Sequence, residues 1–262
     1  MTVINNEKCI GCSSCIGDCV FNSLKLDNGK AMLDGQCIKC GHCVAICPSQ
    51  AVSIPEYEMS EVEDYDKNRF TFDIDKLLYI IKFRRSIRHF TEQPVEQEKL
   101  ENIIQVGRYT ATGVNRQSCR FVVFQDTLKE LKSTIWDGID KALKQPDSNI
   151  KEDDLKSLQK LSDWRTQNID FLFRNAPVAI YIAADSVVDA ALAAQNMELA
   201  AISQGLGVFY NGYLVWATSM NSVATEMLDL QNKQIAVCMM VGYPKVKYQR
   251  TAPRRKADVV WK

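Results

Sequence analysis

The sequence predicts an α+β fold in two parts, a small cysteine-rich module followed by a larger domain with a central sheet flanked by helices. Eight of the ten cysteines lie before residue 50. Beyond residue 70, apolar residues recur at helical spacing in several long segments. Apolar, β-branched runs separate these segments and are typical of buried strands.

Composition indicates a soluble globular protein. Of its 262 residues, 46% are hydrophobic and 24% are charged. The segment MTVINNEKC has no apolar core of the kind found in signal peptides. The longest apolar run, at 178–184, is far shorter than the ~20 residues that span a bilayer. We therefore expect a cytoplasmic protein without a membrane partner, whose clustered cysteines bind metal rather than form disulfides.

The net charge of zero conceals an asymmetry along the chain. Residues 1–75 carry 6 basic and 12 acidic side chains, whereas residues 76–262 carry 26 and 20. This balance does not indicate a nucleic-acid partner. Two parts of opposite sign could dock on each other, and a solvated surface without a docking role would account for the same numbers.

The cysteines form two matching runs. Each follows the spacing C-x2-C-x2-C-x3-C, in which three cysteines bind one cluster and the fourth reaches the other. The first [4Fe–4S] cluster is predicted at Cys9, Cys12, Cys15 and Cys47, and the second at Cys37, Cys40, Cys43 and Cys19. A zinc site would leave the third close cysteine of each run unused. Residues 1–55 thus resemble a two-cluster bacterial ferredoxin, with Val20 where the second run has Pro48.

Two further segments complete the first part. LKLDNGKAMLDGQ predicts a β-hairpin with Asn28 and Gly29 at its turn. EYEMSEVEDYD, residues 56–66, carries six acidic side chains, and a linker is predicted over 56–73. A docking surface for another redox protein is the alternative interpretation of this acidic segment.

The second part, predicted over 74–262, alternates helices and strands. Asp73 is a candidate cap for a helix that begins at Ile74, and a second helix is predicted over Val95–Val106. Later helices are predicted at 127–143, 154–173, 189–205 and 222–230, and strands at 119–126, 176–185 and 235–243.

RRSIRHF, residues 84–90, offers three arginines and a serine as donors to a phosphate. It is followed by ATGVNRQSCRFVVF at 111–124, AAQNMELAAISQGLG at 193–207, YNGYL at 210–214, and then VGYP and PRRK. In this order the motifs resemble the FMN-dependent nitroreductase family. That resemblance implies an intertwined homodimer with two FMN sites at the subunit interface, although the small residues of 190–202 would equally suit a core helix within one subunit.

The resemblance also implies roles for individual residues. The FMN phosphate and ribityl chain are assigned to Arg84, Arg85, Ser86 and Arg88, with added charge from Arg254 and Arg255 in the carboxyl-terminal tail. The loop that approaches the flavin from the partner subunit contains Thr112, Gly113 and Asn115. Asn211 and Gly212 match the turn whose amides face the flavin N5. Many relatives read N-x-Q-P-W where this chain has residues 115–119, and Cys119 and Cys238 are interpreted as buried structural thiols.

The segment 145–174 is predicted to form a lid. Trp164 and Arg165 are candidates to roof the flavin and orient a substrate, although Trp164 could simply anchor the lid helix. No catalytic side chain is expected, since the chemistry takes place on FMN.

These features together predict a flavin oxidoreductase. The clusters would relay single electrons to FMN, which would reduce a small organic acceptor such as a nitroaromatic by hydride transfer. A soluble ferredoxin or a partner reductase is the expected donor. NAD(P)H remains open, because the missing G-x-G-x-x-G fingerprint is not required when nicotinamide binds on the flavin. The alternatives are an electron-transfer subunit, a redox-responsive binding protein, or a reductase of quinones, azo compounds or activated double bonds.

Overall fold

The structure is a computed structural model that describes residues 1–71, 73–146 and 150–262. It divides into two compact units, Met1–Phe72 with Thr112–Arg116, and Asp73–Ala111 with Gln117–Lys262. The predicted domain boundaries follow the same order along the chain and stay a prediction. Residue 72 of the predicted linker and residues 147–149 of the predicted lid lie outside the described residues.

Unit 1 consists of short elements around the cysteines. Its strands are β1 (Val3–Ile4), β2 (Leu24–Asp27), β3 (Lys30–Leu33) and β4 (Val52–Ser53), and its helices are α1 (Ser14–Gly17) and α2 (His42–Ala45). Single 3₁₀ turns occupy Met59–Glu61 and Gly113–Asn115. β1 pairs antiparallel with β4, and β2 with β3.

The predicted hairpin is present between β2 and β3. Asn28 and Gly29 have φ angles of 48° and 76°, so both adopt the left-handed conformation that a two-residue type I′ turn requires. Gly11, in the first cysteine run, has a φ of 70°, and a Cβ atom there would lie 2.2 Å from the carbonyl oxygen of Gly29. Only glycine therefore fits where the hairpin turn meets the first cysteine run.

The core of unit 1 contains three cysteines among its seven buried members. Its buried members are Cys9, Cys15, Leu24, Ala31, Cys43, Ala51 and Val52. α1 carries Cys15 and α2 carries Cys43, and each helix follows a residue in the left-handed conformation, Ser13 or Gly41. The third cysteine of each run therefore points into the core from an equivalent helix.

Unit 2 is built on a four-stranded sheet in the order β5-β6-β8-β7. Its strands are β5 (Arg120–Phe124), β6 (Val178–Ala184), β7 (Gly207–Tyr210) and β8 (Gln234–Gly242), and every neighbouring pair is antiparallel. The three predicted strands are present. β7 was not predicted, because GVFY is too short to show a period of its own.

Helices pack on both faces of this sheet. They are α4 (Gln97–Arg108), α5 (Leu128–Lys144), α6 (Glu152–Thr166), α7 (Val187–Ser203), α8 (Gly212–Ser219) and α9 (Ser222–Met227). A further helix, α3 (Ile74–Phe83), buries none of its residues. α3 begins as predicted, with the Asp73 carboxylate accepting hydrogen bonds from the backbone N–H groups of Asp75 and Lys76. α6 ends at Thr166 rather than at residue 173, and α8 was not predicted.

Every side chain of β6 is buried, which explains its unbroken apolar sequence. Ala179 and Tyr181 join one core with α5, α6, α8 and α9, while Ile180 and Ile182 join a second core with α4 and α7. Unit 2 thus forms helix, sheet and helix layers, and the predicted α+β fold is confirmed. Among the helices described, none is long and apolar enough to cross a membrane.

Candidate functional site

The first group of cysteines surrounds Cys15. Burial raises the pKa of the Cys15 thiol, and the neighbouring thiols of Cys47, Cys12 and Cys9 raise this pKa further. Such mutual influence requires the four side chains to stand close together. They are the four residues predicted for the first cluster, and their role as ligands stays a prediction.

The second group lines one cavity. Cys19, Cys37, Cys40 and Cys43 all contribute to its wall, together with apolar side chains such as Phe21 and Leu33. Burial raises the pKa of the Cys43 thiol to about 11, with smaller increases from Cys37 and Cys40. Cys19, from the first run, thus stands with three cysteines of the second run, as the exchange of fourth ligands requires.

Backbone N–H groups donate to the sulfur atoms in both groups. The pairs are Ala31 to Cys9 (3.4 Å), Ser23 to Cys19 (3.3 Å), Lys39 to Cys37 (3.3 Å) and Ala51 to Cys47 (3.2 Å). Donors of this kind stabilise sulfur that carries negative charge, and they tune the potential of an iron–sulfur cluster. The surroundings of the cysteines therefore fit two such clusters.

No group of three or more His, Cys, Asp or Glu side chains in the described ranges stands close enough to bind a single metal ion. The cysteines around a four-iron cluster bind separate irons, so their sulfur atoms stand further apart than the ligands of one ion.

Arg84 lies at the end of α3 and faces a buried carboxylate. Its Nη1 donates to Oε1 of Glu198 at 3.2 Å, and the Glu198 side chain is only 1% exposed. The hydroxyl of Tyr210 lies 3.2 Å from Oε2 of Glu198. Burial, followed by the charge of Glu198, raises the pKa of Tyr210. Arg84, a predicted phosphate ligand, therefore provides the internal countercharge of Glu198.

Arg85 offers an unpartnered donor. Its Nη1 donates to the carbonyl oxygen of Arg84 at 2.7 Å, whereas its Nη2 is buried and has no hydrogen-bond partner in the part of the chain that the structure describes. Buried guanidinium nitrogens normally have partners, and a phosphate oxygen is a suitable one. This orphan donor fits the phosphate of FMN.

β7 anchors the rest of the RRSIRHF motif. Ser86 forms a parallel bridge with Val208, and the N–H of Ile87 donates to the carbonyl oxygen of Val208 at 2.9 Å. The exposed Arg88 guanidinium lies 5.1 Å from the centre of the Phe209 ring. The motif thus follows one edge of the sheet.

Asn211 caps α8. Its Oδ1 accepts a hydrogen bond from the N–H of Leu214 at 3.0 Å, and its Nδ2 donates to the carbonyl oxygen of Leu172 at 2.6 Å. Gly212 is the first residue of α8, where backbone N–H groups point out of the helix. The predicted orientation of this turn toward a flavin is compatible with that geometry.

Thr112, Gly113 and Asn115 lie within unit 1. The Nδ2 of Asn115 donates to the carbonyl oxygen of Lys39 at 2.8 Å and lies 3.4 Å from that of Ile38. Both carbonyls belong to the loop between Cys37 and Cys40. The predicted contact of these residues with FMN stays a prediction.

Residues 81–243 match the family model described as the nitroreductase family, and residues 1–51 match the model of a 4Fe–4S dicluster domain. The chain belongs to the nitroreductase family. A ferredoxin-type dicluster domain precedes its nitroreductase domain, and this confirms the predicted fusion.

The curated relatives match the two parts separately. The nitroreductase part is 30% identical over 162 residues to an FMN reductase (NADPH) from Bacillus subtilis, covering 61% of this chain and 62% of that protein. The first part is 42% identical over 53 residues to a ferredoxin from Pyrobaculum islandicum, covering 20% of this chain and 50% of that protein. The chain therefore spans less than two thirds of either relative.

Solved structures share the fold of the nitroreductase part. A nitroreductase with bound FMN from Bacteroides fragilis superimposes with a TM-score of 0.57 at 20% identity, covering 71% of this chain and 99% of that one. A nitroreductase with bound FMN from Desulfitobacterium hafniense also gives 0.57, at 22% identity, with coverages of 72% and 100%. At these identities the likeness establishes the fold.

The remaining predicted residues of the nitroreductase domain lie in the carboxyl-terminal tail, in α6, and in or beside the strands β5 and β8. Arg254 and Arg255 are exposed in the irregular carboxyl-terminal tail, and no hydrogen bond or ion pair joins them to Arg84–Arg88 among the described residues. Arg165 forms an ion pair with Asp140 and lies 4.4 Å from the centre of the Trp136 ring, so it connects α6 to α5.

Burial raises the pKa of the half-buried Cys119 thiol and of the fully buried Cys238 thiol.

Sequence reasoning missed Arg174. Its guanidinium lies 3.9 Å from the centre of the Phe171 ring and 5.8 Å from that of Phe209. Trp164, predicted to roof the flavin, stacks on Phe171 with ring centres 4.0 Å apart. The signal that could have indicated Arg174 is its place in FRNAP, directly before the buried strand β6.

Proposed function

We propose that this protein is an FMN-dependent oxidoreductase in which two [4Fe–4S] clusters deliver electrons for the reduction of a small organic acceptor, such as a nitroaromatic. The observation that carries the proposal is the presence of two four-cysteine groups on the same chain as a nitroreductase domain. FMN, when bound, accepts electrons singly and supplies them in pairs, which connects cluster chemistry to a two-electron reduction.

Residues at the edge of β7 would hold the FMN. Arg85 contributes its unpartnered Nη2 to the phosphate, with Ser86 and Arg88 beside it. Arg84 stays fixed against Glu198 and adds positive charge without being free to reorient. Asn211, which caps α8, would position the Gly212 N–H for the reactive edge of the flavin. The family resemblance implies two further contributions to FMN binding. The partner subunit's loop would contribute through Thr112, Gly113 and Asn115, and the carboxyl-terminal tail would add charge through Arg254 and Arg255.

The cysteines would hold the clusters. Each sulfur binds one iron, and the backbone donors described above offset the negative charge of the cluster. Burial of Cys15 and Cys43 excludes water from the inner side of each site. The chain's contribution is therefore ligation, charge stabilisation and shielding from water.

A homodimer is supported by apolar side chains that unit 2 leaves exposed. On α3, Ile74 and Tyr79 are 68% and 61% exposed, and Leu78 and Ile81 are also exposed. On α7, Val187, Val188 and Leu192 are exposed. Apolar helical faces of this size are typical of surfaces that a second subunit covers.

The electron donor is proposed to be a reduced ferredoxin or a partner reductase that delivers single electrons to the clusters. The Bacillus subtilis relative is named for NADPH, which makes direct reduction by a nicotinamide the competing route. An electron-transfer subunit that feeds another enzyme is the second candidate function, and the same cysteine groups would serve it.

The test compares donors on protein purified without oxygen. The wild type should contain about eight iron atoms per chain and one FMN. Changing Cys12 and Cys40 to Ser should lower ferredoxin-driven reduction of a nitroaromatic at least tenfold, with FMN retained. Cys119→Ser, outside both groups, is the matched control and should leave this rate unchanged. Unchanged ferredoxin-driven turnover in the Cys12→Ser, Cys40→Ser variant would disprove the relay. Slow turnover of every acceptor until a partner enzyme is added would indicate the electron-transfer subunit.

A further inference from the structure

A row of stacked side chains extends from α6 to β7 in the nitroreductase domain. Trp164 stacks on Phe171 with ring centres 4.0 Å apart and planes inclined by 25°. The Arg174 guanidinium lies 3.9 Å from the centre of Phe171 and 5.8 Å from that of Phe209. The Arg88 guanidinium lies 5.1 Å from the centre of Phe209. We call these five side chains the aromatic row.

Arg174 shares its nearby carboxylate, that of Asp170, with other groups and forms no ion pair with it among the described residues. Both oxygens of the nearby Asp170 carboxylate accept backbone hydrogen bonds, from Phe173 at 2.9 Å and Asn175 at 3.0 Å, and Lys132 lies 3.6 Å away. The Nε of Arg174 is buried and has no hydrogen-bond partner in the described ranges. The backbone of Arg174 adopts a left-handed φ of 58°, which is uncommon for a residue with a side chain.

Arg174 also lies close to a second positive charge. Burial lowers the pKa of its guanidinium and the charge of Arg88 lowers this pKa further, while the carboxylate of Asp170 acts in the opposite direction. Two guanidinium groups beside one phenylalanine ring therefore repel each other until an anion binds between or beside them. A stacked guanidinium keeps its N–H groups in its own plane, where they can donate to a carboxylate.

The aromatic row adjoins the turn assigned to the flavin. Tyr213 follows Gly212 and meets the edge of Phe171, with ring centres 5.6 Å apart. The row therefore places aromatic ring edges and the Arg174 guanidinium beside the turn that is proposed to face FMN. The FMN phosphate already has an unpartnered donor in Arg85, so we assign the charge of Arg174 to the acceptor.

We propose that Arg174 binds the anionic group of an aromatic acceptor whose ring packs against the aromatic row. The acceptors that this enzyme prefers are then aromatic carboxylates or comparable aromatic anions. The inference rests on the proposed function, because it places the acceptor beside a bound FMN.

Binding is tested on the oxidised holoprotein with benzoate and benzamide, which differ in charge but hardly in shape. Each is titrated while the absorbance of the bound flavin is followed. The wild type should bind benzoate at least tenfold more tightly than benzamide, the effect of about one charge-assisted hydrogen bond. Arg174→Gln should lose this preference and bind benzamide unchanged. Arg174→Lys, which keeps the charge and loses the planar donors, should give an intermediate result.

Turnover provides a second readout. Arg174→Gln should raise KM for 4-nitrobenzoate about tenfold, with KM for 4-nitrobenzamide and both kcat values unchanged. Lys160→Gln is the matched control, since Lys160 is a cation over the Trp164 ring, 4.9 Å from its centre. This variant should leave both acceptors unaffected.

The outcomes separate the inference from the proposed function. A wild-type protein that binds FMN and reduces 4-nitrobenzamide but shows no preference for the anion would overturn the inference alone. A loss of FMN affinity in Arg174→Gln, or equal losses for benzoate and benzamide, would also overturn it, because Arg174 would then serve the cofactor or the fold. A wild-type protein that binds no FMN would overturn both.

Discussion

At the residue scale, the carboxylate of Glu198 depends on Arg84 for its countercharge. Glu198 is 1% exposed and Arg84 25% exposed, with 3.2 Å between Oε1 and Nη1. Removing one partner of such a pair leaves an uncompensated charge in a medium of low polarity. Arg84 is therefore expected to be as important for folding as for binding a cofactor.

A double-mutant cycle tests this dependence. Arg84→Gln should lower the free energy of unfolding by about 3 kcal/mol. The double variant Arg84→Gln, Glu198→Gln should recover most of that loss, because no buried charge remains. Urea unfolding of the flavin-free protein measures both without interference from FMN release. If the effects of Arg84→Gln and Glu198→Gln simply add in the double variant, the two residues do not act as a pair.

Asn115 makes a second residue-specific contact, with the loop between Cys37 and Cys40. Its Nδ2 donates to the carbonyl oxygen of Lys39 at 2.8 Å. Asn5 has a comparable position before Cys9, since its Oδ1 accepts the N–H groups of Glu7 at 2.9 Å and Lys8 at 3.1 Å. Each asparagine is thus placed to stabilise the loop of one cysteine group.

Asn115→Ala is expected to loosen the loop of the second cluster. In air this variant should lose the electron paramagnetic resonance signal of the second cluster several times faster than the wild type, because a net contribution of about 1 kcal/mol is removed. The signal of the first cluster should be unchanged. Asn5→Ala is the matched control and should show the reverse. Equal decay of both signals in either variant would contradict these roles.

At the scale of elements, sequence patterns predicted those parts of the fold that carry their own signal. The cysteine runs, the Asn28-Gly29 turn and the long apolar runs of β6 and β8 are local features. β7 has only four residues, and its position depends on pairing with β8 and on the bridge between Ser86 and Val208. α8 is apolar on several sides, so its sequence lacks the one-sided apolar pattern that indicates an amphipathic helix.

The residues of the site also divide into those that a local sequence pattern indicates and those that only the fold brings together. The two groups of cysteines follow from spacing alone. The pairing of Arg84 with Glu198 joins residues 114 positions apart, and no local pattern indicates it. Arg174 likewise reaches Phe209 only because the turn after α6 adopts a left-handed backbone.

α3 carries the element-scale prediction about assembly. Leu78→Glu places a charge among the exposed apolar residues of this helix, where the partner subunit is proposed to pack. We expect the molar mass measured by sedimentation equilibrium to fall from that of a dimer to that of a monomer. Lys82→Glu, which also introduces a glutamate on α3, is the matched control and should remain dimeric. A dimeric Leu78→Glu variant would place the interface elsewhere.

At the scale of the whole molecule, the two units differ in what stabilises them. Unit 2 has two extensive cores on the faces of its sheet. In the core of unit 1, cysteines occupy three of the seven buried positions. A unit of this size buries little apolar surface, and metal binding then supplies a large part of its folding free energy.

Removing the iron should therefore unfold unit 1 and leave unit 2 folded. Calorimetry of the full-length protein with intact clusters should show two transitions, and anaerobic treatment with a chelator and an oxidant should abolish one of them. The remaining transition should keep its midpoint, because the core of unit 2 contains no cluster ligand among its described members. The Cys12→Ser, Cys40→Ser variant should reproduce the loss without the chemical treatment. If iron removal instead abolishes both transitions, the two units fold as one cooperative system, and the clusters stabilise the nitroreductase domain as well.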